Sequence, residues 1–176
     1  VTVEGGQHTL DGILYIANQS RLKIEATDTL AGVGEVRYQV DENPALIDSR
    51  PFALKGEVGM HQVQYFVGDK VQNQRKKTIQ VFLDNIPPFT QSNLLGSAYW
   101  SGDTAILSQN ASLSLSSTDL ESQVKEIQYC INGKDCGVYQ SPLVFAKEGS
   151  YLLTYFALDQ VNNQESQKEL AMVVDL

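Results

Sequence analysis

Histidine, cysteine and tryptophan are nearly missing from this chain, which holds two, two and one of them among 176 residues. That scarcity removes most ways of building a catalytic centre. His8 and His61 both fall in the first half. No Gly-x-Ser-x-Gly elbow accompanies them and neither cysteine has the setting of a nucleophile, so a triad hydrolase is not expected. No apolar run is long enough to cross a bilayer as a helix, so this segment is not expected to insert directly into a membrane. Positive charge is also sparse, with 13 Lys and Arg against 21 Asp and Glu and a pI near 4.7. Nucleic acid and anionic membrane surfaces are bound by clustered Lys and Arg that release counterions, so neither is expected as a partner. The one basic cluster, Arg75-Lys76-Lys77, reads as a solvated strand edge that discourages strand addition. An initiating Met and a signal peptide are missing too, and Val1 is expected to begin a mature or trimmed piece of a longer protein.

What is present is a duplication. Slid by 91 positions, Leu22-Lys23-Ile24-Glu25-Ala26-Thr27-Asp28 falls on Leu113-Ser114-Leu115-Ser116-Ser117-Thr118-Asp119, and Val36-Arg37-Tyr38-Gln39-Val40 falls on Ile127-Gln128-Tyr129-Cys130-Ile131. Pro51-Phe52 meets Pro142-Leu143. After a one-residue slip, Gly59 to Tyr65 meets Gly149 to Tyr155, and Asp69-Lys70-Val71-Gln72-Asn73 meets Asp159-Gln160-Val161-Asn162-Asn163. The period suits sandwich-sized domains and is too long for a solenoid repeat. Leu83-Asp84-Asn85-Ile86-Pro87-Pro88 is the linker, and the expected domains are residues 1–86 and 87–176. Positions 1 to 88 carry 9 basic against 11 acidic residues and positions 89 to 176 carry 4 against 10, so acidity concentrates in the second copy. A hydrophobic content of 42% supports two small cores.

Within each copy the apolar period is two. Ile13-Leu14-Tyr15-Ile16 reads as a first strand and Asn18-Gln19-Ser20 as a turn. Leu22, Ile24 and Ala26 then alternate with polar residues, as on a strand with one buried face. A loop from Asp28 to Gly34 leads to a strand bearing Val36, Tyr38 and Val40, and Asp41-Glu42-Asn43-Pro44 turns the chain. Pro51 interrupts the next short strands and points to an edge. Gly59 opens the longest strand, through Val63, Tyr65 and Val67, and Ile79, Val81 and Leu83 close the domain. No helical period occurs. About seven short strands per copy, punctuated by turns, predict an all-β protein of two tandem immunoglobulin-like Greek-key sandwiches.

Few side chains suggest chemistry. Cys130 and Cys136 flank a hairpin at Asn132-Gly133. A two-residue turn would leave the sulfurs diagonal, whereas a three-residue loop, Asn132 to Lys134, sets them opposite each other. The second arrangement and a disulfide are favoured in an exported chain; a redox pair or zinc site would need a different spacing or further ligands. Asp84 and Asn85, at the end of the first copy, together with Asp119, Glu121, Asp159 and Asn163 could supply the oxygens of an interdomain calcium ion, and no other cofactor is expected. The plainer reading makes these Asp and Asn residues turn formers. Tyr99-Trp100 is the one aromatic pair of exposed character and a candidate ligand contact, whether for a glycan or a protein. Gly59-x-His61 and Gly149-x-Tyr151 stand where sandwiches place a corner tyrosine, so His61 is expected to be a bonded corner residue.

The order Thr-Asp, turn, Val-x-Tyr, Pro-Phe or Pro-Leu, Gly before an alternating strand, Asp-x-x-x-Asn and Asp-Asn-x-Pro-Pro resembles the immunoglobulin-like repeats of bacterial outer-membrane and surface proteins, the outer-membrane-protein-type β domains. The resemblance covers both copies almost end to end. Gln72-Asn73 and Asn162-Asn163 depart from the family's Gly-Asn, and Gln123 stands where Gly32 does, which puts the loop conformations in question. The resemblance implies an extracytoplasmic, non-catalytic module, cell-surface, outer-membrane-associated or periplasmic. It implies service as a spacer, stalk or adhesive segment beside neighbouring domains of a longer chain, or as a ligand-binding accessory of an adhesin or secreted enzyme. In that setting Asn18-Gln19-Ser20 and Asn110-Ala111-Ser112 are turns, although they match the glycosylation pattern.

Overall fold

The computed structural model describes residues 1–175 and divides the chain into two compact units, Val1–Ile86 and Pro87–Leu176. Both are built entirely of strands. In the first, β1 (Thr2–Glu4), β2 (Gln7–Leu10), β3 (Ile13–Ile16), β4 (Arg21–Lys23), β5 (Val33–Val40), β6 (Leu46–Ile47), β7 (Gly59–Asp69) and β8 (Gln74–Leu83) follow in order. Six of them form one sheet in the order β2-β3-β8-β7-β5-β6, and β1 pairs with β4 in the facing layer. A bridge from Leu22 to Phe52 widens that second layer. The second unit repeats the plan with β9 (Phe89–Leu95), β10 (Ala98–Ser101), β11 (Thr104–Leu107), β12 (Ser112–Thr118), β13 (Val124–Ile131), β14 (Asp135–Val138), β15 (Gly149–Asp159) and β16 (Lys168–Val174). Its sheets run β10-β11-β16-β15-β13-β14 and β9-β12, with a bridge from Leu113 to Leu143.

Among the described residues each unit thus has eight strands where the sequence predicts about seven. The chain before Ile13 supplies two short strands, β1 and β2, and its Gly5-Gly6 carries the backbone from one layer to the other. The parallel pairs β3 with β8 and β11 with β16 close each six-stranded sheet. They join the beginning of a unit to its end, an arrangement that local periodicity does not encode.

The alternating residues face the cores as expected. Ile16, Leu22, Leu54, Val63, Val81 and Leu83 form the first core, with Ile24, Val36 and Tyr38 in an adjoining cluster. Leu107, Leu113, Leu153, Met172 and Val174 anchor the second. Burying one such Leu or Val stabilises the fold by about 1.5–3 kcal/mol. The strand expected over Leu22 to Ala26 ends its pairing at Lys23, although Ile24 remains buried. The loop expected to reach Gly34 ends two residues sooner, at Gly32, because β5 begins at Val33 through a bulge between Val33 and Glu35. Gly34 fits that bulge because a Cβ there would sit 2.8 Å from the Asp69 carbonyl oxygen.

Candidate functional site

The loop aspartates do the same work in both units. Asp28 Oδ1 accepts the backbone N–H groups of Leu30, Ala31 and Gly32 at 2.7–3.0 Å. Asp119 Oδ1 likewise accepts those of Glu121 and Gln123, at 3.2 and 2.8 Å. Asp69 Oδ1 accepts from Val71 and Asn73, and its Oδ2 accepts from Asn73 Nδ2 at 2.7 Å. Asp159 repeats all three bonds with Val161 and Asn163. The amides of Gly32 and Ala31 hold the Asp28 carboxyl below its ordinary pKa. These bonds also explain how residues with side chains occupy left-handed positions that usually favour Gly. Gln123 sits at φ 75° where Gly32 sits at 76°, and Gln72 and Asn162 sit at 71° and 68°. The carboxylates lock the loops, so the steric cost of a side chain at positive φ is borne locally.

Asp119 and Asp159 come together within the second unit, with one carboxylate oxygen of each inside 4.8 Å of the other. Glu121 gives its backbone N–H to Asp119. Asp84 lies in the first unit just after β8, buried, with its N–H on the Ile16 carbonyl at 2.9 Å and its Oδ1 accepting from Ile86 at 2.9 Å. Asp175 occupies the equivalent place after β16, its N–H on Leu107 at 2.9 Å.

A buried polar network in the second unit had no warning in the sequence. Glu165 is 5% exposed. It accepts the N–H of Thr90 at 3.1 Å and of Ala157 at 2.8 Å, and it pairs with Lys168 Nζ at 2.8 Å. Lys168 also donates to the Thr90 carbonyl and lies 4.0 Å from the centre of the Phe89 ring. Burial alone would raise the Glu165 pKa, but the bonds from Lys168, Thr90 and Ala157 outweigh it and hold the carboxyl below its usual range. The partners of Glu165 are 75 and 8 residues away. Only the insertion of one residue between Asn163 and Lys168, relative to the first copy, hinted at irregularity there.

Cys130 and Cys136 form a disulfide across β13 and β14, with Cα atoms 4.0 Å apart and in direct register. The connecting loop is Asn132 to Lys134, as the odd-numbered reading requires. Asn132 and Gly133 take φ of 52° and 65°, the pair of left-handed residues that Asn-Gly favours, and Lys134 is the extra residue. Tyr99 and Trp100 lie on β10, the edge strand of its sheet, 63% and 47% exposed. As adjacent residues of one strand they point to opposite faces, so they do not build a single stacking platform.

The corner residues match in role. Tyr151 donates its hydroxyl to the Lys147 carbonyl at 2.9 Å, and His61 Nε2 lies 2.9 Å from the Glu57 carbonyl, four residues back in each case. The other ring nitrogen of His61 is 2.7 Å from Asp41 Oδ2, and Asp41 Oδ1 accepts from the Gln62 amide. Burial would lower the His61 pKa, but the bond to Asp41, the Glu57 carbonyl and the Asp41 charge together raise it. Asp41 is held below its ordinary value, burial notwithstanding, by the same His61 bond and the Gln62 amide.

No family model matches the chain, and no curated protein matches it. Solved structures similar to it include the fibronectin(III)-like modules of Clostridium thermocellum CbhA, at 12% identity and TM-score 0.49, covering 99% of this chain and 94% of that one. SGBP-B of the Bacteroides ovatus mixed-linkage glucan utilization locus, solved in complex with a mixed-linkage heptasaccharide, is similar at 13% identity and TM-score 0.33 over 93% of this chain and 43% of its own. The D00-D0 domain of intimin is similar at 8% identity and TM-score 0.33, over 99% and 100%. The sandwich plan of each unit rests on its own strand pairing.

Proposed function

We propose that this chain is a non-catalytic spacer or stalk segment of an exported bacterial envelope or cell-surface protein, with its two sandwiches strung in tandem. The observation that carries this reading is the equivalence of the loop aspartates. Asp28 and Asp69 make the bonds that Asp119 and Asp159 make. The carboxylates most suggestive of chemistry therefore have a structural task common to both copies. The Cys130–Cys136 disulfide fits an oxidising compartment outside the cytoplasm.

A ligand-binding accessory role is the second reading, favoured by the exposure of Tyr99 and Trp100 on an edge strand. Calcium belongs with it, because the Asp119 and Asp159 oxygens are close enough to share an ion. The experiment is titration of the full chain with wall polymers, matrix proteins and simple glycans, in calcium and in chelator. The fluorescence of Trp100, the single tryptophan, is followed throughout. A stalk shows no saturable binding and no calcium-dependent change in unfolding. Saturable binding lost in Trp100→Ala would replace the stalk reading with the accessory one, and a chelator-sensitive midpoint lost in Asp119→Asn would establish the ion.

A further inference from the structure

The outermost strand of the first unit's six-stranded sheet, β6, leaves an apolar wall without a cover. Leu46 is 55% exposed and stands across from Tyr38 on β5. Between them and the facing layer lies a groove of about 450 Å³, walled by Tyr38, Val40, Pro44, Leu46 and Phe52. Its floor is rigid. The Tyr38 and Phe52 rings are stacked at 3.7 Å with 7° between their planes, and Phe52 is tied to Leu22 by two backbone bonds at 2.8 and 2.9 Å. The volume falls within the range of small-molecule sites, about 300–1,000 Å³.

Charge at the groove has one sign. Arg21 and Lys55 are the ionic residues that line it and no carboxylate does, although residues 1 to 88 hold 11 acidic residues against 9 basic. The antiparallel bridge of Leu22 with Phe52 sets Arg21 beside Ala53, two residues before Lys55, so both cations share one face. Each is exposed, and neither has an ion-pair or hydrogen-bond partner among the described residues. The backbone at Lys55 is nevertheless anchored on both sides. Leu54 is 1% exposed, and the Glu57 carbonyl lies 2.9 Å from His61 Nε2. The second unit lacks the arrangement, with Ser112 at the position of Arg21 and Gly137 at that of Leu46.

We infer that this groove binds a small organic anion with a flat apolar body, of the aryl carboxylate class. The five walls shield a ring seated among them from water, and the two cations receive the carboxylate at the rim. A sugar acid fits less well, because its hydroxyls would lose water against Val40, Pro44 and Leu46 with only Asn43 to replace it. A second copy of the chain offers one comparable group, Leu120, which is 93% exposed between Asp119 and Glu121. The Asp119 carboxylate is already bonded to the amides of Glu121 and Gln123, which favours the small ligand. The groove belongs to the first unit, whereas Tyr99 and Trp100 belong to the second, so this inference is independent of both the stalk and the accessory readings.

The test follows the NMR spectrum of the full chain during titration with naphthoate and with naphthamide, its uncharged counterpart. Saturable shifts are expected at Val40, Leu46 and Ala53, in the groove. The carboxylate should bind on the order of fivefold to tenfold more tightly, because each exposed cation adds modestly and two act on one anion. Arg21→Gln combined with Lys55→Gln, both at exposed positions, removes that preference and leaves the affinity for naphthamide unchanged. Leu46→Gly, the residue of the second copy, weakens both ligands. Equal affinity for the two ligands, shifts scattered over both units, or no saturable shift overturns the site. Tighter binding of trigalacturonate than of naphthoate overturns the apolar body. Groove shifts that grow with protein concentration alone and vanish in Leu120→Ser assign it to a second copy and overturn the small-ligand occupant.

Discussion

Replacing Glu165 by alanine tests the buried network directly. The substitution removes the acceptor for two backbone N–H groups, of Thr90 and Ala157, and the partner of Lys168. A buried donor left without an acceptor costs about 1–3 kcal/mol. Breaking a buried ion pair on one side costs about 3–5 kcal/mol in all. The two figures describe overlapping losses and do not add, and Lys168 is 29% exposed and regains some hydration. The expected destabilisation is therefore about 3–4 kcal/mol. Glu165→Gln keeps one acceptor oxygen for Ala157 or Thr90 and is expected to cost about half as much. Trp100 is the only tryptophan and lies in the second unit, so denaturation followed by its fluorescence reports that unit alone. For a domain of this size each kcal/mol moves the melting temperature by roughly 4–8 °C, so the alanine variant should melt at least about 12 °C lower. Because the Glu165 pKa is depressed on folding, its contribution is present above the unfolded carboxylate pKa of about 4.3 and is lost as pH falls through the lower folded value. A loss under 1 kcal/mol in Glu165→Ala, or equal losses in the two variants, would refute the reasoning.

The Cys130–Cys136 bond closes a loop of only six residues' separation, so its reduction should lower the Trp100 transition by about 2 kcal/mol without loss of the native spectrum. A change above 4 kcal/mol would mean that the bridge organises more than its hairpin. The His61 and Asp41 pair should stabilise the first unit most between about pH 4 and 6.5. The raised His61 pKa makes its share complete below the unfolded His value and lost as pH rises through the folded one; the lowered Asp41 pKa makes its share present above the unfolded Asp value and lost as pH falls through the folded one. With Asp41 38% exposed the effect stays under about 1 kcal/mol. NMR titration of His61 should therefore give a pKa above 6.5, and His61→Tyr, the residue of the second copy, should flatten the pH profile of the first unit's stability. Tyr151→Phe removes the bond to the Lys147 carbonyl and should lower the Trp100 transition by about 1 kcal/mol; no measurable shift would show the corner bond to be replaceable by water.

Much of the architecture was legible because a strand with one buried face writes its period into the chain. Leu22, Ile24, Val36, Tyr38, Val63, Val81 and Leu83 were all readable as core residues from alternation, and all but one are under 9% exposed, with Val36 at that value. The Cys130 and Cys136 register was legible for a related reason: the loop length fixes which residues oppose each other. Corner residues His61 and Tyr151 were found through a glycine two residues before each.

Other features were not written locally. The parallel closure of β3 on β8 and of β11 on β16 joins residues at opposite ends of a unit, and no short-range pattern carries it. Nothing beside Glu165 in the sequence marks it as buried, because its burial depends on Thr90, 75 residues earlier, arriving with an N–H to donate. The loop aspartates were ambiguous between ion ligands and turn formers, since both uses require oxygen atoms at similar spacing. Gln72, Gln123 and Asn162 left the loop conformations in question, because propensity disfavours a side chain in the left-handed region and the aspartate bonds to neighbouring amides that help to hold it form only in the folded loops.

Sequence by itself determined the duplication, the strand character, the faces that enter the cores and the cysteine pairing, all of which follow from periods and loop lengths within about a dozen residues. Tertiary structure alone decided which strand ends meet and which carboxylates are buried, because those depend on hydrogen-bonding groups that become neighbours only after the sheets have closed.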